Sequence, residues 1–357
     1  MLTSENIFTA EGQLLIRANV EITELYIKRL RQVGIPAVYV HNPFFADAVP
    51  SDIIDEMTRI RLISSLQKEF LAIREGKPWN VHQFMDMAAQ IVTEVTLNSR
   101  SLVQLTDTRS YKEATFSHSV NVAVLCVVIA LAMDYPPRKM HDVALGGLLH
   151  DVGKMLIDPA IVNKRGLLTT AEYEIMMEHV TLGFGILRSA SPRIIPAPVM
   201  HMALQHHKRP DGTGYPRQLA KSEILEYARI VAVADVYDEV TCDRPYSKAR
   251  FPHEACLMMA DAMNQQFDTE VLTAFLTRLA MYPVGSVVEL STGDIGVVVA
   301  LYWGMQNRPT IRLMLNSHKK LLTKKVMLDL RDNPKVEIRR VLGEEEVFAL
   351  SRLAHHH

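Results

Sequence analysis

The sequence has few cysteines for its length, with three in 357 residues. Cys126, Cys242 and Cys256 lie far apart, whereas a disulfide framework or a zinc ribbon needs cysteines at short, paired spacings. The spacing therefore argues against both kinds of cysteine site. We expect reduced, mostly buried thiols and a cytoplasmic protein.

The sequence also lacks a large net charge and a long hydrophobic run. Its net charge is −1 and 22% of its residues are charged, so it has no bulk electrostatic attraction to DNA, RNA or an anionic membrane. The longest apolar stretch, Val122–Met133, is well short of the roughly 20 residues that span a bilayer. Glu5 and Glu11 interrupt any apolar run at the N-terminus, which argues against a signal peptide. We expect a buried core helix and no membrane span.

The first hundred residues divide into two zones. Residues 1–50 read as a small α/β unit, with a strand at Leu14–Ile16, a helix that contains Ile22, Leu25, Tyr26 and Leu30, and a second strand at Pro36–Val40. Residues 51–100 have helical spacing of their apolar side chains. They link the first unit to the next domain or form a dimer contact, and the pattern leaves both interpretations open.

The remaining chain is helical first and then β-rich, so we predict a mainly α protein. Residues 101–280 carry successive apolar stripes at helical spacing, including one at 138–157 and one at 170–189. Residues 281–350 alternate between apolar and polar and contain glycine turns, which predicts a small antiparallel sheet or barrel. The basic run "HKKLLTKK" at 318–325 is interpreted as a solvated hairpin. Residues 351–357 are a tail that ends in three histidines, typical of a purification tag.

Potential metal ligands concentrate in five short motifs of the helical zone. The motifs are "FSHSVNVA" with His118, "GGLLHDVGK" with His150, Asp151 and Lys154, "EHVTLG" with His179, "QHHKRPDGTGYP" with His206 and His207, and "AVADVYDEV" with Asp235 and Asp238. At about 100° per residue of helix, His150 and Lys154 project from nearly the same face, with Asp151 in the adjacent sector.

Five imidazoles and two carboxylates in this order form a donor set that suits iron, manganese, zinc or nickel. They are too many for one tetrahedral zinc ion and about right for two metals that share a bridging carboxylate. A lone histidine on an apolar helix is usually a core residue, and that interpretation is preferred for the six other internal histidines. These are His41, His82, His141, His201, His253 and His318.

Across residues 111–250 the motifs resemble those of the HD-GYP family of cyclic-dinucleotide phosphodiesterases, a branch of the metal-dependent HD phosphohydrolases. The resemblance rests on "HDVGK", "EHVTLG", "HHKRPDGTGYP" and "ADVYDEVTCDRPY". It implies an all-helical HD-type catalytic domain, with the N-terminal unit and the C-terminal sheet as accessory parts.

The resemblance also implies a role for each motif residue. The first metal would be held by His118, His150, Asp151 and Asp235, and the second by His179, His206 and His207, with Asp151 as the bridge. Lys154 would face the scissile phosphate and act in catalysis with Asp151. The substrate-binding residues would be Tyr215 and Arg244 at a guanine or phosphate, with Asp211, Gly212, Gly214 and Pro216 in the loop that presents Tyr215, and Lys248 near a position that is often basic in the family.

The implied activity is hydrolysis of cyclic di-GMP to the linear dinucleotide pGpG, with GMP as a further product left open, by a hydroxide that bridges two divalent metals. Iron or manganese is favoured, and zinc or nickel stays open. The alternatives are a weak or inactive cyclic-di-GMP receptor that signals through its accessory domains, and a phosphodiesterase for another cyclic dinucleotide. A homodimer and signalling partner proteins also stay open.

Two departures from the family pattern bear on this expectation. Family members with a third metal have a glutamate where this chain has Ala114, and the adjacent Glu113 would point elsewhere on a helix, so two metals are favoured. Lys208 stands where the family usually has glutamate. Its positive charge is expected to weaken metal retention or to attract the anionic substrate.

Overall fold

The computed structural model of this chain describes most of the sequence. The described residues are 2–3, 6–8, 14–33, 35, 38, 40, 48, 52–99, 101–103, 114–164, 166–190, 194–217, 219, 221–242 and 249–354. Within them the chain is mainly helical and carries a small antiparallel sheet at its C-terminal end, which confirms the predicted fold class.

The helices of the central region follow the predicted apolar stripes closely. They are α1 at Glu24–Gln32, α2 at Glu56–Arg74, α3 at Val81–Leu97, α4 at Ala114–Ala132, α5 at Pro137–Leu149, α6 at Pro159–Val162, α7 at Thr170–Met177, α8 at His179–Ala190, α9 at Ala197–Gln205, α10 at Glu226–Thr241, α11 at Pro252–Asp261 and α12 at Thr269–Leu276. A last helix, α13 at Glu344–Ala354, extends into the segment that was predicted to be a tail.

Helix α4 lies at the centre of the helical region and packs against α2, α3, α5, α10 and α12. Its window Thr115–Ala132 is long and apolar enough to cross a membrane by length and composition, yet 83% of that window is buried inside the protein. Burial of this kind is what a core helix of a folded domain shows, in keeping with the prediction for Val122–Met133. The polar residues of α4 must therefore find partners inside the core.

The core of the helical region continues across residue 100, where the sequence suggested the end of a linker. Phe70 of α2 and Phe84 and Ile91 of α3 are fully buried and belong to the same apolar cluster as α4 and α5. The aromatic rings of Phe70 and Phe84 lie 6.0 Å apart. Since α2 and α3 bury their apolar faces in this cluster, they are part of the domain that carries the metal-ligand motifs.

Two segments predicted to be helical are each interrupted, 138–157 at His150 and Asp151 and 170–189 at Glu178. The prediction of one continuous helix is therefore wrong for both. Helix α5 ends at Leu149, and a 3-10 helix follows at Val152–Leu156. Asp151 lies between them with φ −100° and ψ 8°. The break, and not the helical spacing, therefore sets the directions of His150 and Asp151. In the second segment α7 ends at Met177 and α8 begins at His179.

The first residues form a small unit of which only part is described. Strand β1 at Ile7–Phe8 pairs antiparallel with β2 at Leu14–Ile16, and α1 follows, as the sequence predicted. Val40 forms an isolated bridge with Thr3. The rest of the predicted strand at Pro36–Val40 lies largely outside the described residues.

The C-terminal region is a five-stranded antiparallel sheet with strand order β6-β5-β4-β3-β7. Its strands are β3 at Val287–Leu290, β4 at Ile295–Ala300, β5 at Thr310–Leu315, β6 at Leu321–Asp329 and β7 at Ile338–Val341. The basic run 318–325 lies at the turn between β5 and β6 and at the start of β6. Lys319 and Lys320 of this turn are exposed, as expected for a solvated hairpin.

Asp268 connects the start of α12 to α10, the helix that carries Asp235. Its carboxylate caps α12 by accepting from the backbone N–H of Glu270 at 2.9 Å. It also pairs with Arg229 at 2.6 Å and Lys221 at 2.9 Å, although Asp268 itself is only 2% exposed. Burial would raise the pKa of Asp268, but the hydrogen bonds from Lys221 and Arg229 lower it to about 2.

We predict that Asp268→Asn lowers the free energy of unfolding by about 1–3 kcal/mol at pH 7, because the amide can still cap α12 but leaves Arg229 and Lys221 without their carboxylate partner. A depressed pKa gives stability that is present above the unfolded pKa near 3.8 and is lost as pH falls towards about 2. The variant should therefore lose less stability than the parent between these pH values. Urea unfolding as a function of pH measures both effects, with exposed Glu270→Gln as the control. Equal stability of Asp268→Asn and the parent would contradict the prediction.

Candidate metal centre

The seven predicted metal ligands come from five separate segments of the helical region. His118 lies in the second turn of α4, and His150 and Asp151 lie at the break after α5. His179 begins α8, His206 caps the C-terminus of α9 and is followed by His207, and Asp235 lies in the middle of α10. The structure brings all seven side chains together.

Three of these residues form a first cluster. His118, His150 and Asp235 are buried and offer one ligand atom each within 4.8 Å of one another. The Nε2 atom of His118 lies 3.0 Å from Oδ1 of Asp235, and Nε2 of His150 lies 3.8 Å from the same oxygen. Asp151 joins this cluster through Oδ2, which is 3.4 Å from Nε2 of His150.

A second cluster consists of His179, His206 and His207, whose ligand atoms also lie within 4.8 Å of one another. The Nε2 atoms of His179 and His206 are 3.3 Å apart. Asp151 reaches this cluster with its other oxygen, since Oδ1 is 3.4 Å from Nε2 of His179 and 3.8 Å from Nε2 of His206. The carboxylate of Asp151 therefore lies between the two clusters, with one oxygen towards each.

Backbone carbonyls set the tautomers of three histidines. The Nδ1 atoms of His150, His179 and His206 each lie within hydrogen-bond distance of the carbonyl oxygen three residues earlier, at 2.7, 2.6 and 3.0 Å. A carbonyl oxygen only accepts, so each Nδ1 must carry a hydrogen and donate it. In the neutral imidazole the lone pair is then on Nε2, the atom that faces the clusters. This arrangement is typical of histidines that bind metals.

The donor atoms fit divalent metal ions. Burial lowers the pKa of His179 to about 4 and lowers that of His206 well below its usual range, so both rings are neutral near pH 7. Their Nε2 lone pairs then face each other at 3.3 Å, a repulsive contact that a cation between them would relieve. Nε2 of His150 and Oδ1 of Asp151 are buried, and neither has a hydrogen-bond partner among the described residues. A mixed set of imidazoles and carboxylates suits transition metals.

His118 shows that the first cluster favours positive charge. Burial would lower the pKa of His118, but the carboxylates of Asp235 and Asp238 outweigh this effect and raise it to about 10. Nδ1 of His118 lies 2.7 Å from Oδ2 of Asp238, and Nε2 faces Asp235. A metal ion that binds at Nε2 takes the place of a proton there.

Lys154 lies beside the carboxylate that connects the clusters. Its ammonium group donates to Oδ2 of Asp151, and its side chain keeps 20% of its surface exposed. Burial would lower the pKa of Lys154, but the nearby carboxylates, Asp151 first among them, raise it. The side chain therefore carries a positive charge at neutral pH at the border between the buried centre and solvent.

The loop after His207 returns to the second cluster. The ring of Tyr215 stacks on that of His207, with centroids 4.8 Å apart and planes inclined by 27°, and the peptide bond from Tyr215 to Pro216 is cis. A side chain at Gly214 would place its Cβ 2.3 Å from the carbonyl oxygen of His207, so the close return of the loop requires glycine. Asp211 is exposed and accepts from the backbone and hydroxyl of Thr213 at 2.9 and 2.7 Å, which shapes the turn.

The ammonium group of Lys208 bonds within its own loop, whereas the sequence suggested that its charge acts on the metals or on the substrate. Lys208 is only 5% exposed, and its ammonium group donates to the carbonyl oxygen of Arg217 at 2.5 Å. This bond joins the two ends of the loop that carries Tyr215. Burial and the charge of Arg217 lower the pKa of Lys208.

Some predicted residues lie outside the described part of the chain. Arg244 and Lys248 belong to the undescribed segment 243–248, and Glu113 precedes the first residue of α4. Of the six histidines interpreted as core residues, His41 is also undescribed. The other five lie in the described residues and join none of the ligand groups found there. His82 and His318 are exposed, so their interpretation as core residues is wrong, while His141, His201 and His253 are partly buried.

Comparison with known proteins matches two domains. Residues 99–271 match the model of an HD domain, and residues 287–350 match that of a KOW domain associated with HD domains. The first match contains all seven residues of the two clusters and the loop of Tyr215. The chain carries an HD domain.

The curated relatives of this chain include a cyclic di-GMP phosphodiesterase of Pseudomonas aeruginosa, 34% identical over 261 residues, which are 73% of this chain and 62% of the relative. A cyclic di-GMP phosphodiesterase of Thermotoga maritima is 37% identical over 45% of this chain and 44% of its own. A 3′3′-cGAMP-specific phosphodiesterase of Vibrio cholerae is 32% identical over 47% of this chain and 36% of its own. The chain thus spans less than two thirds of each of these relatives.

The sequence did not assign a role to the residues that surround the ligands of the HD domain. Asp238 contacts His118, and Asn121 donates to Asp238. A signal for both was present, because Asn121 follows His118 and Asp238 follows Asp235 by three residues on otherwise apolar helices. Polar residues one turn apart on a buried helix lie on the same face and have to pair with something.

We predict that Gly153→Ala lowers the amount of bound metal from about two ions per chain to about one. A Cβ atom at Gly153 would lie 1.9 Å from the carbonyl oxygen of His179 and 2.6 Å from the backbone nitrogen of Gly183. Helix α8 must then move away from the 3-10 helix and take His179 away from Asp151, because backbone atoms cannot yield as a flexible side chain does.

Elemental analysis of the purified protein after gel filtration measures its metal content. The matched control is Gly185→Ala, since a Cβ at Gly185 on the same helix meets no atom within 4 Å. The prediction fails if Gly153→Ala retains as much metal as Gly185→Ala.

Proposed function

We propose that the protein hydrolyses cyclic di-GMP to linear pGpG with two divalent metal ions, iron or manganese. The observation that carries this proposal is the position of Asp151, whose two carboxylate oxygens face two separate histidine clusters at 3.4 Å. A shared carboxylate between two ligand sets is the arrangement of two-metal phosphoesterases. The names of the curated relatives support the substrate class.

The proposed ligands divide by cluster. His118, His150 and Asp235 would hold one ion and His179, His206 and His207 the other, with Asp151 shared between the two groups. Such ions would act as Lewis acids, since they lower the pKa of a bound water molecule to about 7 and neutralise charge on a phosphate oxygen. The five imidazoles and two carboxylates that surround them favour iron or manganese, with zinc or nickel as the alternatives.

The charged and aromatic groups at the edge of the centre are proposed to orient the phosphodiester. In the reaction the oxygen of a water molecule bonds to phosphorus, the bond from phosphorus to the ribose 3′-oxygen breaks, and that oxygen gains a proton. Lys154 is charged at neutral pH and stabilises the negative charge that develops on the phosphate. Burial raises the pKa of Tyr215, so its hydroxyl stays protonated and can donate a hydrogen bond to a phosphate oxygen.

Arg244 and Lys248 are further proposed substrate contacts on the basis of the sequence resemblance. The planar guanidinium of an arginine suits either a phosphate or a guanine edge, because it donates two parallel hydrogen bonds. Cys126 and Cys256 are buried and form no disulfide, which supports the expected cytoplasmic location.

The proposal is tested by incubation of the purified protein, loaded with Mn²⁺ or with Fe²⁺ under anaerobic conditions, with cyclic di-GMP. The products are then separated by ion-pair chromatography. We expect pGpG to accumulate. Binding of the dinucleotide without any product would favour the receptor, and faster hydrolysis of 3′3′-cGAMP than of cyclic di-GMP would overturn the proposed substrate.

We predict that Asp151→Asn lowers the rate of hydrolysis by about 100-fold or more, because the amide is a weaker ligand and cannot bridge two cations as a carboxylate does. Hydrolysis rate and metal content are measured together for the variant. The control is His82→Ala, which removes an exposed imidazole from α3 and should leave both unchanged. Hydrolysis by Asp151→Asn at the rate of the parent would rule out the shared site.

We also predict that Lys208→Met raises the KM for cyclic di-GMP by about 10-fold, an effect that corresponds to one lost hydrogen bond from a charged donor. Without the ammonium group, the loop of Tyr215 loses the bond to Arg217 that closes it. Lys208→Glu should behave like Lys208→Met, because a carboxylate cannot donate to a carbonyl oxygen.

Steady-state kinetics separate KM from kcat for these variants. Arg209→Met is the control, since Arg209 is the exposed neighbour in the same loop. Lys208 could instead draw in the substrate by its charge alone. The KM values of Lys208→Arg and of the parent should then rise equally with salt, and the KM of Lys208→Met should match that of the parent at high salt. That result would contradict the role in loop closure.

A further inference from the structure

A chain of side-chain contacts leads from the first ligand cluster to helix α2. Nδ1 of His118 lies 2.7 Å from Oδ2 of Asp238, and the other oxygen of Asp238 accepts from the amide nitrogen of Asn121 at 2.8 Å. The amide oxygen of Asn121 accepts from the guanidinium of Arg59. The same guanidinium binds Oδ2 of Asp52 at 2.6 Å.

The chain of contacts is shielded from solvent along most of its length. Asn121 is 2% exposed and Asp238 is 1% exposed, and the side chain of Arg59 is 14% exposed. Arg59 lies on α2, outside the residues that match the HD domain. A residue from the segment before that domain therefore reaches a contact of a proposed metal ligand.

Each contact in the chain fixes the direction of the next one. Because the Arg59 guanidinium only donates, it must meet the amide oxygen of Asn121. The amide nitrogen of Asn121 then faces Asp238. If the amide were rotated by half a turn, its oxygen would face the Asp238 carboxylate and repel it. The guanidinium of Arg59 thus determines which group Asn121 presents to Asp238.

Asp238 passes this constraint on to His118. A carboxylate at Nδ1 keeps the hydrogen on that nitrogen, so the lone pair is on Nε2 and the ring stays oriented towards Asp235. Asp52 in turn holds Arg59, and the backbone N–H of Ile53 donates to the other oxygen of Asp52 at 2.7 Å. The start of α2 is fixed as well, because the backbone N–H of its cap residue Asp55 donates to Oε2 of Glu94 on α3 at 2.9 Å.

We infer that Arg59, held by Asp52, is a positioning residue of the metal centre that acts through Asn121 and Asp238 on His118. This inference rests on the two-metal centre proposed above. According to this inference, a residue in the segment before the HD domain contributes to the metal affinity of the first cluster and not to that of the second. Contacts behind metal-binding histidines typically contribute 10-fold to 100-fold to metal affinity.

The inference is tested with the full chain loaded with Co²⁺, whose visible absorption reports the geometry of its ligands. Release of the metal to a chelator is followed over time. In the parent protein we expect two phases, one for each cluster. In Arg59→Met we expect one phase to become about 10-fold to 100-fold faster with a changed absorption spectrum, while the other phase keeps its rate.

Two further variants separate positioning from a general effect on folding. Arg61→Met removes an exposed arginine of the same helix, which donates to Met57 and Thr58 of its own helix, and should leave both phases unchanged. Asp52→Asn keeps Arg59 in the core and weakens only its anchor. It should accelerate the same phase as Arg59→Met by a smaller factor.

The outcomes distinguish this inference from the proposed function. If the parent binds two ions and Arg59→Met releases both at the parent rates, the positioning role is overturned and the proposed function stands. Equal acceleration of both phases in Arg59→Met and Asp52→Asn would also overturn it, because the effect would then be structural. A parent protein that binds no metal would overturn the proposed function together with the inference.

Discussion

The carboxylate of Asp151 is the group on which the arrangement of the whole centre depends. Its two oxygens face different histidine clusters, and its charge lies in the interior of a helical domain. Burial would raise the pKa of Asp151, but Lys154 and the surrounding imidazoles hold it well below its usual range. The break between α5 and the 3-10 helix gives the carboxylate this position, and Gly153 lets α8 approach closely enough for His179 to reach it. The local backbone geometry therefore places the Asp151 carboxylate between the two clusters, and the surrounding charges keep it ionised there.

A second constraint is the burial of polar groups on helices that are otherwise apolar. Helix α4 lies in the core, and His118 and Asn121 are the residues through which it reaches the metal centre. A buried donor or acceptor without a partner costs free energy comparable to a lost hydrogen bond. The core satisfies Asn121 from both sides, with Asp238 on one side and Arg59 on the other. The same requirement explains why the Nδ1 atoms of His150, His179 and His206 meet backbone carbonyls.

The fold and the grouping of the seven site residues were predictable, because the first rests on local apolar spacing and the second on the shared chemistry of the side chains. Apolar spacing located the helices, and the order of His118, His150, Asp151 and the later histidines pointed to one centre. The break at residue 150 was not predictable, because the apolar spacing continues through it and the reason for it is the packing of α8 against Gly153. The bond from Lys208 to Arg217 was hidden as well. It depends on how a loop closes, whereas the residue type alone suggested a charge that acts on the metals or on the substrate.

The boundary of a domain in sequence differs from the boundary of the interactions that support its site. The HD match begins at residue 99, yet the apolar core includes α2 and α3, and Arg59 of α2 contacts Asn121. The orientation of His118 depends on Arg59, the last member of the chain of hydrogen bonds. If the amide of Asn121 were free to rotate by half a turn, it would present its oxygen and not its nitrogen to Asp238. The packing of α2 against α4 therefore bears on the geometry of the first ligand cluster. A change in the N-terminal segment that moves Arg59 would therefore alter the orientation of the His118 ring without any change in the HD motifs.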